Sequence, residues 1–249
     1  MKMPELVPDN YVDIYKFFED FEPNRRVQNF GFAIMNAVCD MQVQYAPGSD
    51  STIHDHLSNS GSVLLSANHQ SAADIPVIAN IVNEDPFEGM RSTTIIPAKA
   101  EMFGWPVIGR LFPHMSAHPA FRSKDFKRDK EGMALGRNVT EEMIRLNVDH
   151  INNGGNCAIF PEATRNRNNP REILSLGAGL GRIATGIECP SKLLVVPLGI
   201  AYKPTRLRFH PVVVVGDPFS PEDMTKSEVR RETSLRMQAS VTNAFEFVS

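Results

Sequence analysis

Apolar residues in this chain follow two different periods. Short runs bounded by turn residues, Val63–Ser66, Ser92–Pro97, Asn156–Phe160, Leu193–Ile200 and Leu207–Val215, have the length and content of buried strands. Met41–Tyr45 alternates as a shorter strand. Between these runs the spacing turns helical. It does so over Arg25–Met41, from Ile75 to about Asn83, and through Leu135, Val139, Met143, Leu146 and Ile151. A last helix over about 226–247 places Val229, Leu235, Met237, Val241, Ala244 and Phe245 inward. Its start is marked by a capping box, Thr225-x-x-Glu228. Strands alternating with helices in this way predict βαβ units, hence an α/β domain with a mainly parallel sheet. Pro47–Ser60 reads as loop.

The first 45 residues differ from the rest. Tyr11, Tyr15, Phe17, Phe18 and Phe21 stand among acidic residues, and Pro23-Asn24 breaks the chain before the Arg25 helix. That helix carries an apolar stripe of Val27, Phe30, Ile34, Ala37 or Val38, and Met41. It leans on a membrane or packs on the sheet. Its polar face is poor in Lys and Arg, which favours packing. The division expected is an N-terminal helical segment over 1–45 and the main domain over 46–249.

Composition narrows the classes. With 42% hydrophobic and 22% charged residues, 249 residues make a globular chain with a sizeable core. A net charge of -3 argues against a nucleic-acid partner. Cys39, Cys157 and Cys189 fit a reducing compartment without a disulfide. No apolar run approaches the ~20 residues of a spanning helix, and no hydrophobic signal region opens the sequence. His54 and His56 lack a third ligand nearby, so no metal site is expected. Gly177-x-Gly179-x-Gly181 lacks the form and the strand start of a nucleotide cradle.

Candidate chemistry sits where the first buried strand stops. Asn68-His69 ends the run, and Asp74 opens the next helix. Such a position lies in the crevice where open α/β sheets bind ligands. Five residues of turn can return a carboxylate to one imidazole nitrogen and leave the other free as a base. His-x4-Asp alone is weak, being expected by chance ~0.4 times in this composition. A second element gives it weight: Phe160-Pro161-Glu162-Ala163-Thr164-Arg165, again a turn directly after a strand. A third runs Lys99-Ala100-Glu101-Met102, then Pro106-Val107-Ile108-Gly109, then Arg122 thirteen residues on.

Together these stretches resemble the motifs of the 1-acylglycerol-3-phosphate acyltransferases, the PlsC type of glycerolipid acyltransferase. The resemblance implies a mixed, mostly parallel central sheet flanked by helices. It implies transfer of a fatty acyl group from acyl-CoA or acyl carrier protein to lysophosphatidic acid, with no further cofactor. His69 and Asp74 would form the base, with no covalent enzyme intermediate. Asn68, Lys99, Arg122, Glu162, Thr164 and Arg165 would bind substrate, with Arg128 standing in for Arg122 if the thirteen-residue count slips. The oxyanion would be met by backbone N–H groups, at the start of the helix after Asp74. A cytoplasmic enzyme, peripheral at the inner face of the membrane, follows from such lipid substrates. Another lysophospholipid or a glycolipid is the alternative acceptor, and a non-catalytic lipid-binding protein the alternative class. Two departures stand out. Ala163 replaces the family's usual Gly, and Ser116, His118 and Ala120 replace its Gly and hydrophobic residues before the Arg. The backbone at Ala163 is expected to accommodate Ala with little change.

Overall fold

The computed structural model describes residues 3–106, 108–122, 125–203 and 209–248. Its elements run α1 Tyr11–Asp20, α2 Arg25–Val38, β1 Gln42–Tyr45, α3 Ser49–Ser58, β2 Ser62–Ala67 and α4 Asp74–Ile81. Then follow β3 Thr94–Lys99, α5 Ile108–Leu111, β4 Ala117–Ala120, α6 Lys130–Asn152 and β5 Asn156–Ile159. The last are α7 Ala178–Ala184, β6 Leu193–Lys203, β7 His210–Val215 and α8 Lys226–Glu246. The expected strand from Leu207 starts outside the described residues; its described part is β7.

These strands form a seven-stranded sheet in the order β1-β7-β6-β2-β5-β3-β4. Every neighbouring pair is parallel except β6 with β7. The sheet is thus mixed and mostly parallel, as an α/β acyltransferase-like fold requires. Central β2 is buried at all six positions. Its alternation divides the core: Val63, Leu65 and Ala67 face α4 and Phe32 of α2, while Leu64 faces α6, α7 and α8. Full burial of Val63, Leu64 and Leu65 stabilises by about 1.5–3 kcal/mol each. Ser66 of β2 stands opposite Ile159 of β5. The chain therefore leaves both strands at the same end of the sheet, side by side.

Helix ends follow their capping chemistry. Asn24 accepts from the backbone N–H groups of Arg26 and Val27, Asp129 from that of Gly132, and the Thr225–Glu228 box is formed. Three expectations are corrected. Ser49–Ser58 is a helix rather than loop: with Ile53 as its only buried apolar residue, its polar sequence shows no periodic stripe. Leu235 is 62% exposed, because α8 buries Val229, Thr233, Met237, Val241 and Ala244, and Leu235 lies on the far side of that face. Ala163 has φ of +54°, a left-handed conformation that disfavours a β-carbon, so the backbone has not shifted to suit Ala.

The N-terminal segment is built onto the sheet. α1 buries Ile14, Tyr15 and Phe17, and the Tyr15 hydroxyl donates to Pro119 O at 3.1 Å. β1, the end of this segment, pairs in parallel with β7. α2 packs through Gln28, Gly31 and Phe32. Gly31 permits the close approach, since a β-carbon there would lie 2.8 Å from Met115 Sδ. The stripe expected to face inward points outward instead: Phe30 is 59% exposed, Ile34 38% and Val38 38%. Among the described residues no helix is long and apolar enough to cross a membrane.

Candidate active site

The parallel register of β2 and β5 brings the two turn motifs together. His69 leaves β2 and its backbone N–H donates to Glu162 Oε1 at 2.8 Å. Asn166 N–H donates in turn to His69 O at 2.7 Å. Two turns far apart in sequence are thus tied through both backbone groups of His69.

His69 Nδ1 lies 2.7 Å from Asp74 Oδ2. Asp74 is fully buried and also accepts from the backbone N–H groups of Gln70 at 2.7 Å and Ser71 at 2.9 Å. Its other oxygen accepts the Tyr202 hydroxyl. A carboxylate ringed by donors in this way is an acceptor toward the imidazole too, which assigns the ring N–H to Nδ1. Burial, with the Asp74 charge behind it, pushes the Tyr202 phenol far above its usual range, so that it stays a donor. The imidazole stacks on Phe160 with ring centroids 4.4 Å apart, which fixes its remaining rotation. Its face opens on a cavity of about 1330 Å³, larger than the roughly 300–1,000 Å³ of most small-molecule pockets.

One arm of the cavity is apolar, walled by Phe32, Ile75, Ala79, Val82, Ile96 and Met115. Cations line the cavity as well, among them Arg91, whose guanidinium lies 4.5 Å over the Phe32 ring. Lys99, Arg122 and Arg165 all line it, as do Thr164 and the alternative Arg128. Lys99 and Arg122 share a counter-ion, Glu101, with Arg122 Nη2 2.8 Å from its carboxylate. Arg122 also reaches Asp125 at 3.6 Å, yet its Nε is buried without a partner among the described residues. A buried donor left open in a cavity fits an anionic ligand.

Two expected ligands are placed elsewhere. Asn68 is buried, and its amide both accepts from Ile200 N–H at 2.7 Å and donates to Ile200 O at 3.1 Å. It holds the turn to β6 and does not line the cavity. Glu162 spends one oxygen on His69 N–H and the other on Leu174 N–H at 2.9 Å. It orients the backbone, and no ion pair links it to Arg165 among the described residues. Burial raises the Glu162 carboxyl above its ordinary range, against the lowering effect of these two N–H donors. The amides of Gln70, Ser71 and Ala73 are likewise engaged within the turn.

Sequence reasoning missed Tyr202. It lies 128 positions from Asp74, and only the β2–β6 register carries it over the start of α4. Cys157 is core, its thiol pushed up by burial and donating to Asn147 Oδ1 at 3.0 Å.

An imidazole held by a carboxylate, in a cavity with apolar walls and a set of cations, has the parts that moving an acyl group onto a hydroxyl needs. Compared with known proteins, the chain matches none of the curated sequences. A family model described as Acyltransferase matches residues 50–201, which span β2, α4, β5 and most of β6. That match covers more than half of the chain and contains both turn motifs, and the chain accordingly belongs to the Acyltransferase family.

Proposed function

We propose that the enzyme transfers a fatty acyl group from acyl-CoA, or from acyl carrier protein, to the free hydroxyl of lysophosphatidic acid, giving phosphatidic acid. The observation that carries this reading is the opening of the Asp74-held imidazole onto one cavity that combines an apolar arm with Lys99, Arg122 and Arg165. The acceptor hydroxyl gives its proton to His69 Nε2 while its oxygen attacks the thioester carbonyl. The C–S bond breaks, the ester C–O bond forms, and the imidazolium returns the proton to the leaving thiolate. A positioned imidazole of this kind contributes ~10²–10⁴-fold. No enzyme nucleophile is required. Among the described residues the other amides of the turn are engaged, which leaves that of Ala72, a cavity-lining residue, to meet the oxyanion.

Arg165 and Arg122 offer forked donors to the acceptor phosphate, and Lys99 a point charge. The apolar arm takes a fatty chain. The outward stripe of Phe30, Ile34 and Val38 supports docking at the inner face of a membrane, where such an acceptor resides. Phe209, 48% exposed, extends that stripe, its N–H donating to Val38 O at 3.2 Å.

A second reading, transfer to a different lysophospholipid or a glycolipid, is favoured by Glu101, which already neutralises part of the Lys99–Arg122 pair. Thiol release from acyl-CoA with a panel of acceptors separates the two. Lysophosphatidic acid should be used at least about tenfold more efficiently than acceptors lacking a phosphomonoester. Equal use of uncharged acceptors would overturn the first reading in favour of the second.

A further inference from the structure

The cavity that His69 lines is also bounded by α6 and α7, whose residues the chemistry at His69 does not use; the space between them is the α6–α7 trough. Met133, Gly136, Arg137, Thr140 and Glu141 recur on one face of α6 and form one wall. Gly177, Gly179 and Arg182, at the start of α7 and within it, form the other. Three of these eight residues are glycine, and a β-carbon added at Gly179 would meet nothing within 4 Å. The rim is basic. Arg128 and Arg137 are exposed and have no ion-pair partner among the described residues. Arg182 is held by Glu141, which leaves the rest of its guanidinium for a ligand.

Charge sets the problem. An acceptor phosphomonoester brings about two negative charges, yet the cavity is lined by Arg91, Lys99, Arg122, Lys127, Arg128, Arg137, Arg165, Arg167 and Arg182. Glu101, Asp125 and Glu141 offset only three of these. Of the remainder, Arg137 belongs to α6, Arg182 to α7, and Arg128 stands just before α6. The surplus calls for a second, more highly charged anion in extended form. The two acyl donors differ in this respect. Acyl-CoA has a nucleotide with a 5′-diphosphate and a 3′-phosphate on a slender pantetheine arm. A carrier protein presents a broad acidic surface, which a cavity of about 1330 Å³ cannot enclose.

We propose that the α6–α7 trough binds the phosphorylated nucleotide end of acyl-CoA, with Arg137 and Arg182 on its phosphates and Arg128 at the rim. This assignment rests on the acyl-transfer reading for its choice of ligand, and it makes CoA the donor. The pantetheine arm then runs past Gly177 to the thioester at His69.

The test is calorimetric titration of the full chain with CoA, dephospho-CoA and pantetheine. It uses the wild type, Arg137→Ala, Arg137→Lys and, as a charge control, Arg231→Ala, an exposed arginine outside the cavity. Arg137→Ala should weaken CoA about tenfold or more, through loss of charge-assisted hydrogen bonds. Pantetheine binding should stay unchanged, Arg137→Lys should recover part of the affinity, and Arg231→Ala should match the wild type. In turnover, the KM for acyl-CoA should rise by the same factor at constant kcat, with acyl-pantetheine unaffected. Unchanged CoA affinity in Arg137→Ala, an equal loss for pantetheine, no CoA binding by the wild type, or turnover with acyl carrier protein alone would each overturn the assignment. Because CoA binding is read without an acceptor, an enzyme inactive toward every lysolipid would sink the acyl-transfer reading and leave this one standing.

Discussion

Glu162 Oε1 accepts the backbone N–H of His69 across 93 positions of chain, and Oε2 accepts that of Leu174. The carboxylate of the second motif thus holds the backbone of the first. Glu162→Ala leaves two amides without partners, at about 1–3 kcal/mol for the pair after water enters. The variant should melt lower, and kcat should fall because His69 is no longer fixed. Arg165→Ala, by contrast, should raise the KM for a phosphate-bearing acceptor and leave the melting temperature alone. Thermal melts and steady-state kinetics on both variants check the division. An Arg165-like phenotype for Glu162→Ala would contradict it.

Tyr202 supplies the Asp74 bond that no motif announced. Tyr202→Phe keeps the ring and removes the donor. With that donor gone, Asp74 is held less firmly behind the imidazole, and kcat should fall about tenfold at unchanged KM. A purely structural role would lower stability and leave kcat in place.

Ala163 occupies a left-handed position that most residues other than Gly avoid. Its side chain is exposed, so nothing is lost from the core on removing it. Ala163→Gly relieves about 1–2 kcal/mol of backbone strain against a smaller gain in unfolded-chain entropy. Stability should rise by about 0.5–1 kcal/mol in denaturant titration, with acyl transfer preserved. A less stable glycine variant would show that the strain is absent.

The outward stripe of α2 makes a separate demand. Phe30→Glu with Ile34→Glu changes only exposed positions and should leave the fold intact. Flotation with vesicles containing phosphatidylglycerol should drop about tenfold or more. Turnover of a short-chain, water-soluble acceptor should hold. Equal flotation of variant and wild type would place this face in solvent or against another partner.

Much of this architecture was legible in the chain. Runs such as Val63–Ala67 and Leu193–Ile200 are apolar because both faces of a parallel strand are buried, and they read as strands without ambiguity. The His69–Asp74 pairing and the turn that carries Arg165 were legible because each follows such a strand directly. What escaped was whatever depends on register or on face. Tyr202 meets Asp74 only through strand pairing, and Asn68 turns to Ile200 because β6 runs beside β2. The α2 stripe was visible, but periodicity cannot say which side a stripe faces. α3 was hidden because a helix with one buried apolar residue leaves no pattern.

Replacing His69 puts the central claim to its most direct trial. Thiol release from acyl-CoA in the presence of lysophosphatidic acid should fall at least about 100-fold in His69→Ala, with circular dichroism and melting temperature matching the wild type. Turnover within a few-fold of the wild type, in a variant so folded, would mean that this imidazole is not the base and that the chemistry lies elsewhere in the cavity.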